Sequence, residues 1–193
     1  MPVLPLEPFV FPQDLFTEAR TFGESSSRWW VLHTRPRSEK ALARSLLQHN
    51  ISFFLPLFQR ERLHRSRITT SHLPLFPGYV FLLGDNEARV QALTTNTVAQ
   101  TLPVGNQPEL HNDLVRVFHL MSSGAPLTPE ERLLPGTLVE ITAGPLAGLE
   151  GKIIRRGRRL KFFIEVHFLQ RGASVEIDSW MIEPKERHRP VAN

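Results

Sequence analysis

The 193-residue sequence has no cysteine, and no apolar run approaches the roughly 20 residues needed to span a bilayer. The absence of cysteine excludes disulfide bonds, thiolate metal sites and cysteine nucleophiles, and it agrees with a reducing cytosol. The segment that begins Met1-Pro2-Val3 has no basic stretch before an apolar one, so we expect no secretory signal. These absences predict a cytoplasmic protein without a membrane partner, which we expect to be a monomer.

Sequence patterns of catalytic and metal-binding sites are also missing. The eight histidines form no HExxH motif and no other paired spacing typical of metal ligands. No Gly-x-Ser-x-Gly elbow occurs, and the acidic residues form no evident dyad along the chain. We therefore predict no catalytic residue, no metal and no cofactor, and a binding protein rather than an enzyme. A nuclease-like enzyme that pairs distant acids is the remote alternative.

What the sequence does have is an uneven distribution of charge and proline. The net charge is +4, yet residues 1–27 are acidic, with one basic and four acidic residues, and residues 28–121 are basic. Residues 122–135 hold three prolines and a glycine, which disfavour a helix or a central strand. We expect an irregular acidic leader over 1–27 with at most a short helix over 14–22, a first domain over 28–121, a linker over 122–135, a second domain over 136–185 and a polar tail over 186–193.

Residues 28–121 mix strand and helix patterns. Apolar and aromatic runs predict strands, and apolar residues at helical spacing predict helices. The resulting order βαββαβα indicates a two-layer α+β domain with a mainly antiparallel sheet. The predicted elements are a strand over 29–34, a helix over 39–49 capped by Ser38, strands over 51–57 and 79–83, a helix capped by Asp85 or Asn86 that ends near Leu93, a strand over 98–104, and a helix capped by Asn112 and followed by Gly124.

Residues 136–185 show no helical pattern. Short strand-like runs with turn residues between them, within about 50 residues, indicate a small all-β barrel. Between the first two runs, Gly144, Pro145, Gly148 and Gly151 allow a tight loop and a close backbone approach. This pattern resembles the KOW motif, and a generic glycine-rich hairpin is the alternative. The aromatic and β-branched residues over 160–166 oppose a helical hairpin, so we predict strands here.

The first domain in turn resembles the N-terminal domain of the NusG family. The resemblance is carried by the aromatic run over 29–34, which a basic turn and a helix follow, and by Phe76-Pro77-Gly78-Tyr79-Val80-Phe81. An α+β NGN domain, a flexible linker and one KOW barrel is the architecture of bacterial members of that family. The resemblance covers residues 28–184 and implies a transcription elongation or antitermination factor. A KOW-containing RNA-binding or ribosome-associated protein is the alternative.

The resemblance implies that the first domain presents an apolar surface to the clamp helices of the largest subunit of RNA polymerase. In such helix-docking surfaces a few buried anchors dominate the affinity. Binding the active polymerase better than the paused one would suppress pausing or termination without any chemistry by this chain. Tyr79 and Phe76 have an alternative as ordinary core aromatics, and His33 as a satisfied polar residue. The matching positions are His33, Phe76, Pro77 and Tyr79, with Leu55 and Pro56 as weaker candidates.

The threonine-rich stretch within residues 88–102 resembles a specialised paralogue, RfaH, in which a similar stretch reads exposed non-template DNA. Leu75 before Phe76 is also RfaH-like, whereas Gly78 is typical of NusG itself. We therefore predict a NusG-like or RfaH-like antiterminator, a specialised paralogue, whose charged and short polar side chains contact a single DNA strand. A solvated helix end followed by a polar loop is the alternative. The candidate DNA contacts are Arg89, Thr94, Thr95 and Asn96.

Two clusters of basic residues are further candidates for nucleic-acid contact. For the first cluster a solvated, mobile loop is the alternative, and for the second the alternative is surface charge without a partner. The resemblance also implies that the barrel binds a small ribosomal subunit protein or a termination factor, and the basic barrel tip is suited to RNA, a ribosome or an acidic protein. The first cluster is a hairpin-like excursion with Arg60, Arg62, His64, Arg65 and Arg67, of which Arg65 and Arg67 are the candidate contacts; the second is the tip formed by Arg155, Arg156, Arg158 and Arg159.

Overall fold

The computed structural model describes residues 8–17, 27–64, 67–131, 136–156 and 159–184. The chain divides into two compact units, Met1–Val115 and Arg116–Asn193. This division lies within the third helix, on the N-terminal side of the segment that the sequence predicts to be a linker.

The first unit is built on a five-stranded antiparallel sheet in the order β1-β3-β6-β2-β7, and β4 and β5 form a separate two-stranded hairpin. The predicted βαββαβα framework is confirmed, with the hairpin inserted between β3 and β6 and with β1 added at the edge of the sheet. In chain order the elements are β1 (Val10–Phe11), β2 (Arg28–Thr34), α1 (Glu39–Gln48), β3 (Ser52–Phe54), β4 (Leu57–His64), β5 (Arg67–Pro74), β6 (Tyr79–Gly84), α2 (Asn86–Thr94), β7 (Val98–Leu102) and α3 (Gln107–Ser122).

One face of this sheet packs against α1 and α2. Because side chains alternate along a strand, Trp30 and Leu32 of β2 share this face with Leu82 of β6. α2 begins where the sequence predicts it, since the Asp85 carboxylate accepts a hydrogen bond from the Ala88 N–H at 2.9 Å. The two helices contribute Leu42, Ala43, Leu46 and Ala92 to this core.

The opposite face of the sheet is aromatic. Trp29 and Phe54 lie on it, and the ring of Phe16 packs over both, with centroid distances of 6.0 Å to Trp29 and 5.0 Å to Phe54. His111 of α3 accepts a hydrogen bond from the Trp29 indole N–H at 3.3 Å. These contacts bury the indole and satisfy its one polar group.

Residues 8–17 are therefore not an irregular leader. β1 pairs with the edge strand β3, with Val10 opposite Phe54. Leu15 is fully buried, and Phe16 is 8% exposed because its ring packs on Trp29 and Phe54. Residues 14–17 form turns rather than the start of a helix, and the rest of the predicted helix over 14–22 lies outside the described residues.

α3 begins several residues before the predicted start. Asn106, rather than Asn112, caps it, since its Oδ1 accepts a hydrogen bond from the Glu109 N–H at 3.1 Å. Gln107 then pairs with the backbone of Trp29: its Oε1 accepts from the Trp29 N–H at 2.6 Å and its Nε2 donates to the Trp29 carbonyl at 3.0 Å. The amide side chain thus takes the place of a strand partner beyond the end of β7.

The second unit contains a six-stranded antiparallel sheet in the order β13-β9-β10-β11-β12-β8, which confirms the predicted β-rich second domain. β8 lies inside the predicted linker. It is an edge strand, where a proline is tolerated, and Ser174 of β12 donates a hydrogen bond to Glu130 at 2.7 Å. The strands are β8 (Thr128–Glu130), β9 (Thr137–Ile141), β10 (Glu150–Arg156), β11 (Arg159–Val166), β12 (Arg171–Ile177) and β13 (Ile182–Pro184).

The glycines of the predicted loop connect β9 and β10. Gly144 and Gly148 have φ angles of +83° and +85°, and the Gly148 N–H donates to the Ile141 carbonyl at 2.7 Å. Gly151 packs under Phe162, because a Cβ atom at residue 151 would lie 2.6 Å from that ring. The sequence pattern that resembles a KOW motif is therefore a tight connection followed by a close contact between β10 and β11.

Candidate functional site

His33 and Tyr79 lie opposite each other at one end of the five-stranded sheet. Their ring centroids are 5.2 Å apart with an interplanar angle of 45°, and both side chains are half-buried. Gln100 of β7 pairs with His33 on its other side and is exposed. Because directly opposed residues share a face, these three side chains form a row across β6, β2 and β7.

The turn before β6 places an exposed proline next to this row. Pro77 is exposed, and the residue after it, Gly78, has a φ of +86°. A Cβ atom on Gly78 would lie 3.3 Å from Nε2 of His33, so the turn backbone passes directly beside the histidine ring. We call His33, Pro77 and Tyr79 the turn surface.

Phe76 does not belong to the turn surface, although the sequence predicts it as a contact. It is 1% exposed, and its ring meets Phe81 edge to face at a centroid distance of 6.2 Å. Leu55 and Pro56, the weaker candidates, are also buried. These three side chains support the turn from inside the first unit, so none of them is available to a partner in this structure.

Glu39, the first residue of α1, links that helix to the turn. Its side chain is 7% exposed, and its Oε1 accepts a hydrogen bond from the Gly78 N–H at 2.7 Å. The Gly78 carbonyl in turn accepts from the Thr34 N–H at 2.8 Å. Sequence patterns place an acid at the start of a helix but do not identify a partner 39 residues away.

Arg89 of α2 is the basic residue among the candidate DNA contacts. Its Nε and Nη2 donate to Oδ1 of Asn86 at 3.0 and 2.8 Å. Its guanidinium carbon lies 5.1 Å from the centroid of the Trp30 ring, and that of Arg28 lies 4.1 Å away. The tryptophan and asparagine therefore orient Arg89 while using only part of its hydrogen-bond donors.

The other three candidates lie at the C-terminal end of the same helix. The hydroxyl groups of Thr94 and Thr95 donate to the carbonyls of Gln91 and Ala92, both at 2.7 Å. Asn96 follows the helix with a φ of +57°, a conformation that asparagine tolerates better than most residues. Thr94 and Asn96 are exposed, whereas Thr95 is half-buried and serves the helix end.

The first basic cluster falls on the β4–β5 hairpin. Arg65 lies outside the described residues, and for Arg67 the structure gives only its backbone pairing with His64. Arg60 is exposed, and Ile68 is 69% exposed. The predicted excursion is thus a regular hairpin.

The tip of the β10–β11 hairpin carries the second basic cluster. Arg155 is exposed, whereas Arg159 donates to Glu176 at 2.6 Å in an exposed ion pair. Arg156 is opposite Arg159 in the strand pairing, and Arg158 lies outside the described residues. Glu176 therefore offsets part of the positive charge that the sequence places here.

The second unit contains a groove that the sequence does not predict. The groove has a volume of about 390 Å³, and Trp180, which is 69% exposed, lies in the same segment. The one sequence signal for it is a tryptophan that follows two polar residues. Arg159, Leu160, Glu176, Ile177, Asp178, Ser179 and Met181 line the groove.

No group of three or more His, Cys, Asp or Glu side chains in the described ranges is placed to hold a metal ion. None of the helices in that part of the chain combines the length and the apolar character needed to cross a membrane.

Comparison with known proteins gives one family match. A family model described as transcription termination factor nusG matches residues 27–117, which include the turn surface and all of α2. No curated protein matches the chain. A Thermotoga maritima NusG structure, described by its domain interaction, is 20% identical over 83% of this chain and 98% of that one, with a TM-score of 0.46. An MjSpt4:Spt5 complex structure is 16% identical over 83% of this chain and 99% of that one, with a TM-score of 0.23.

Proposed function

We propose that this chain binds the clamp helices of the largest subunit of RNA polymerase and suppresses pausing or termination. The proposal rests on residues 27–117, which match the NusG family model. That family supports a role as a transcription elongation factor. The turn surface is the contact that we assign to this binding. Its half-buried ring pair and the exposed Pro77 carry the proposal.

The turn surface has the properties of a docking site for a helix tip. Two aromatic rings and a proline present apolar area with little side-chain freedom, so few rotamers are lost on binding. Strand pairing between β2 and β6 fixes the distance between His33 and Tyr79 before any partner arrives. Such rigid anchors supply most of the free energy of small interfaces.

The chain acts on transcription by binding and not by chemistry. If it binds the active conformation of the polymerase more tightly than the paused one, it shifts the equilibrium between the two toward the active state by at most that ratio of affinities. The half-buried Arg89, together with the exposed Thr94 and Asn96 at the C-terminal end of α2, would add contacts to the phosphates and bases of the displaced non-template strand. Such contacts would make the factor RfaH-like.

In the second unit, the exposed Arg155 at the β10–β11 tip favours a further partner that is acidic. A small ribosomal subunit protein or a termination factor is the protein partner that fits the KOW-like sequence. RNA binding at this tip is the second candidate function, and it would make the chain an RNA-binding or ribosome-associated protein.

A binding measurement separates these proposals. Full-length chain is titrated onto RNA polymerase core enzyme and, separately, onto ribosomal RNA. We expect the double variant His33→Ala, Tyr79→Ala to weaken polymerase binding by about tenfold or more, since each lost anchor costs on the order of 1 kcal/mol. Leu47→Ala removes an exposed apolar side chain from α1, on the other side of the sheet, and we expect it to have no effect.

The opposite pattern contradicts the proposal. Polymerase binding that the double variant leaves unchanged would exclude the turn surface as the contact. A chain that binds ribosomal RNA tightly and the polymerase not at all would favour the RNA-binding alternative, and Arg155→Ala should then weaken that binding.

A further inference from the structure

Glu39 is a buried acid whose side chain is hydrogen-bonded to Gly78, 39 residues further along the chain. Charged side chains are rarely buried unless they are paired, because removing a carboxylate from water is costly. Glu39 is 7% exposed, and its Oε1 accepts the Gly78 N–H at 2.7 Å. A charge-assisted hydrogen bond to a backbone amide is among the stronger kinds of hydrogen bond, so this bond offsets the free-energy cost of burying the acid.

Gly78 is held from both sides by this arrangement. Its N–H donates to α1 through Glu39, and its carbonyl accepts from the Thr34 N–H of β2 at 2.8 Å. With both polar groups engaged, the Gly78 backbone keeps a φ of +86° and stays beside the His33 ring. A Cβ atom added to Gly78 would lie 3.3 Å from Nε2 of that ring. The orientation of the turn therefore depends on a helix that contributes nothing else to the turn surface.

An ordinary role at the start of a helix does not explain Glu39. The side chain of Ser38, at the N-cap of α1, makes no capping hydrogen bond. An acid in the first helical turn is favoured by the helix dipole wherever it points, including toward solvent. Glu39 instead points inward to the turn, whereas Glu87, the acid in the first turn of α2, is exposed.

We infer that Glu39 is a positioning residue: its carboxylate fixes the Gly78 amide and thereby sets Pro77 against the His33–Tyr79 ring pair. The inference rests on the proposed function for its consequence, because a displaced turn would weaken polymerase binding. It makes α1 part of the recognition apparatus, because Glu39 holds a turn that α1 itself does not form.

The test compares three variants of Glu39 in the full chain with the control Glu87→Ala. Glu39→Ala removes the acceptor. Glu39→Asp keeps the charge at the helix start but shortens the side chain by one methylene, and Glu39→Gln keeps an acceptor at the right distance. The readouts are the Gly78 amide signal and its hydrogen exchange, the ring signals of His33, and the affinity for polymerase core enzyme.

We expect Glu39→Ala and Glu39→Asp to speed Gly78 amide exchange by about tenfold or more, to shift the His33 ring signals and to weaken polymerase binding by a similar factor. Glu39→Gln should restore most of all three, and Glu87→Ala should change none. If Glu39→Ala does not fold, the Asp and Gln variants carry the comparison, because both keep a polar acceptor in the site.

Three outcomes overturn the inference. Gly78 and His33 signals that are unchanged in both Glu39→Ala and Glu39→Asp would show that the carboxylate does not hold the turn, whatever the polymerase does. Changed signals with unchanged polymerase affinity, while His33→Ala and Tyr79→Ala weaken binding, would show that the turn position is irrelevant to binding. If Glu39→Gln fails to restore the signals, hydrogen bonding is not the cause. Failure of the proposed function appears separately, as loss of the effect of His33→Ala and Tyr79→Ala.

Discussion

Phe16 and Leu15 show how single side chains tie the N-terminal segment to the first unit. Phe16 is 8% exposed and packs on Trp29 and Phe54, and Leu15 is fully buried. Composition alone predicts an irregular acidic segment here, because its acidic residues and prolines outnumber Leu15 and Phe16, the two residues whose side chains are buried. The burial of Leu15 and Phe16 cannot be predicted from the local sequence, because it depends on the folded sheet, whose aromatic face needs to be covered.

Phe16→Ala should destabilise the first unit by about 3–5 kcal/mol, the usual range for removing a buried phenylalanine. The cost combines lost burial with the cavity left beside Trp29. Urea unfolding followed by tryptophan fluorescence measures it, since Trp29 is in contact with the deleted ring. Leu47→Ala, at an exposed position, should change the free energy of unfolding by less than about 0.5 kcal/mol. Equal stability of the two variants would mean that residues 8–17 do not cover this face in solution.

At the residue scale, the sequence predicts the turn surface only in part. The apolar run over 79–83 identifies Tyr79 as a strand residue, but its pairing with His33 depends on the register between β2 and β6. The family resemblance implies Phe76 as a contact, and it is buried instead, because the turn folds it back onto Phe81. Burial of a turn residue is decided by long-range packing, which local sequence does not contain.

Among the elements, those with strong periodicity or a clear cap are the ones the sequence predicts well. β2, α1, β6 and α2 lie within a residue or two of their predicted bounds. The errors fall at edges. β1 and β8 are short edge strands whose partners are distant, and α3 starts at Gln107 because Asn106 rather than Asn112 is its cap. β4 and β5 are too polar to show an apolar pattern, since much of their surface is solvated.

The α2 helix carries a prediction of its own about DNA. Arg89→Ala and Asn96→Gly should weaken binding to an elongation complex with an exposed non-template strand by about three- to tenfold, through lost phosphate and base contacts. Glycine at residue 96 keeps the positive φ, so the helix end is preserved. Neither variant should affect binding to core enzyme without DNA.

Lys40→Ala is the matched control for charge, because Lys40 lies on α1 rather than on α2. Equal losses for Lys40→Ala and Arg89→Ala would indicate general electrostatic attraction. Equal losses with and without DNA would place the α2 contacts on the polymerase instead.

At the scale of the whole molecule, the chain combines residues 27–117, which match the NusG family model, with a separate β-rich unit. The sequence predicts this combination because strand, helix and turn signals change character between residues 121 and 136. What it misses is specific to the folded units: the Glu39 hydrogen bond to Gly78, and the groove beside Trp180. Both depend on residues that are distant in sequence or that carry no pattern.

Site-specific photo-crosslinking from position 77 tests the central claim most directly. A photoreactive residue replaces Pro77 in the full-length chain, and the same residue at position 47 is the control, since Leu47 is exposed on α1. With RNA polymerase core enzyme, we expect position 77 to form an adduct with the clamp helices of the largest subunit and position 47 to form none. A chain that binds the polymerase but forms no clamp-helix adduct from position 77, or forms it equally from both positions, would contradict the account.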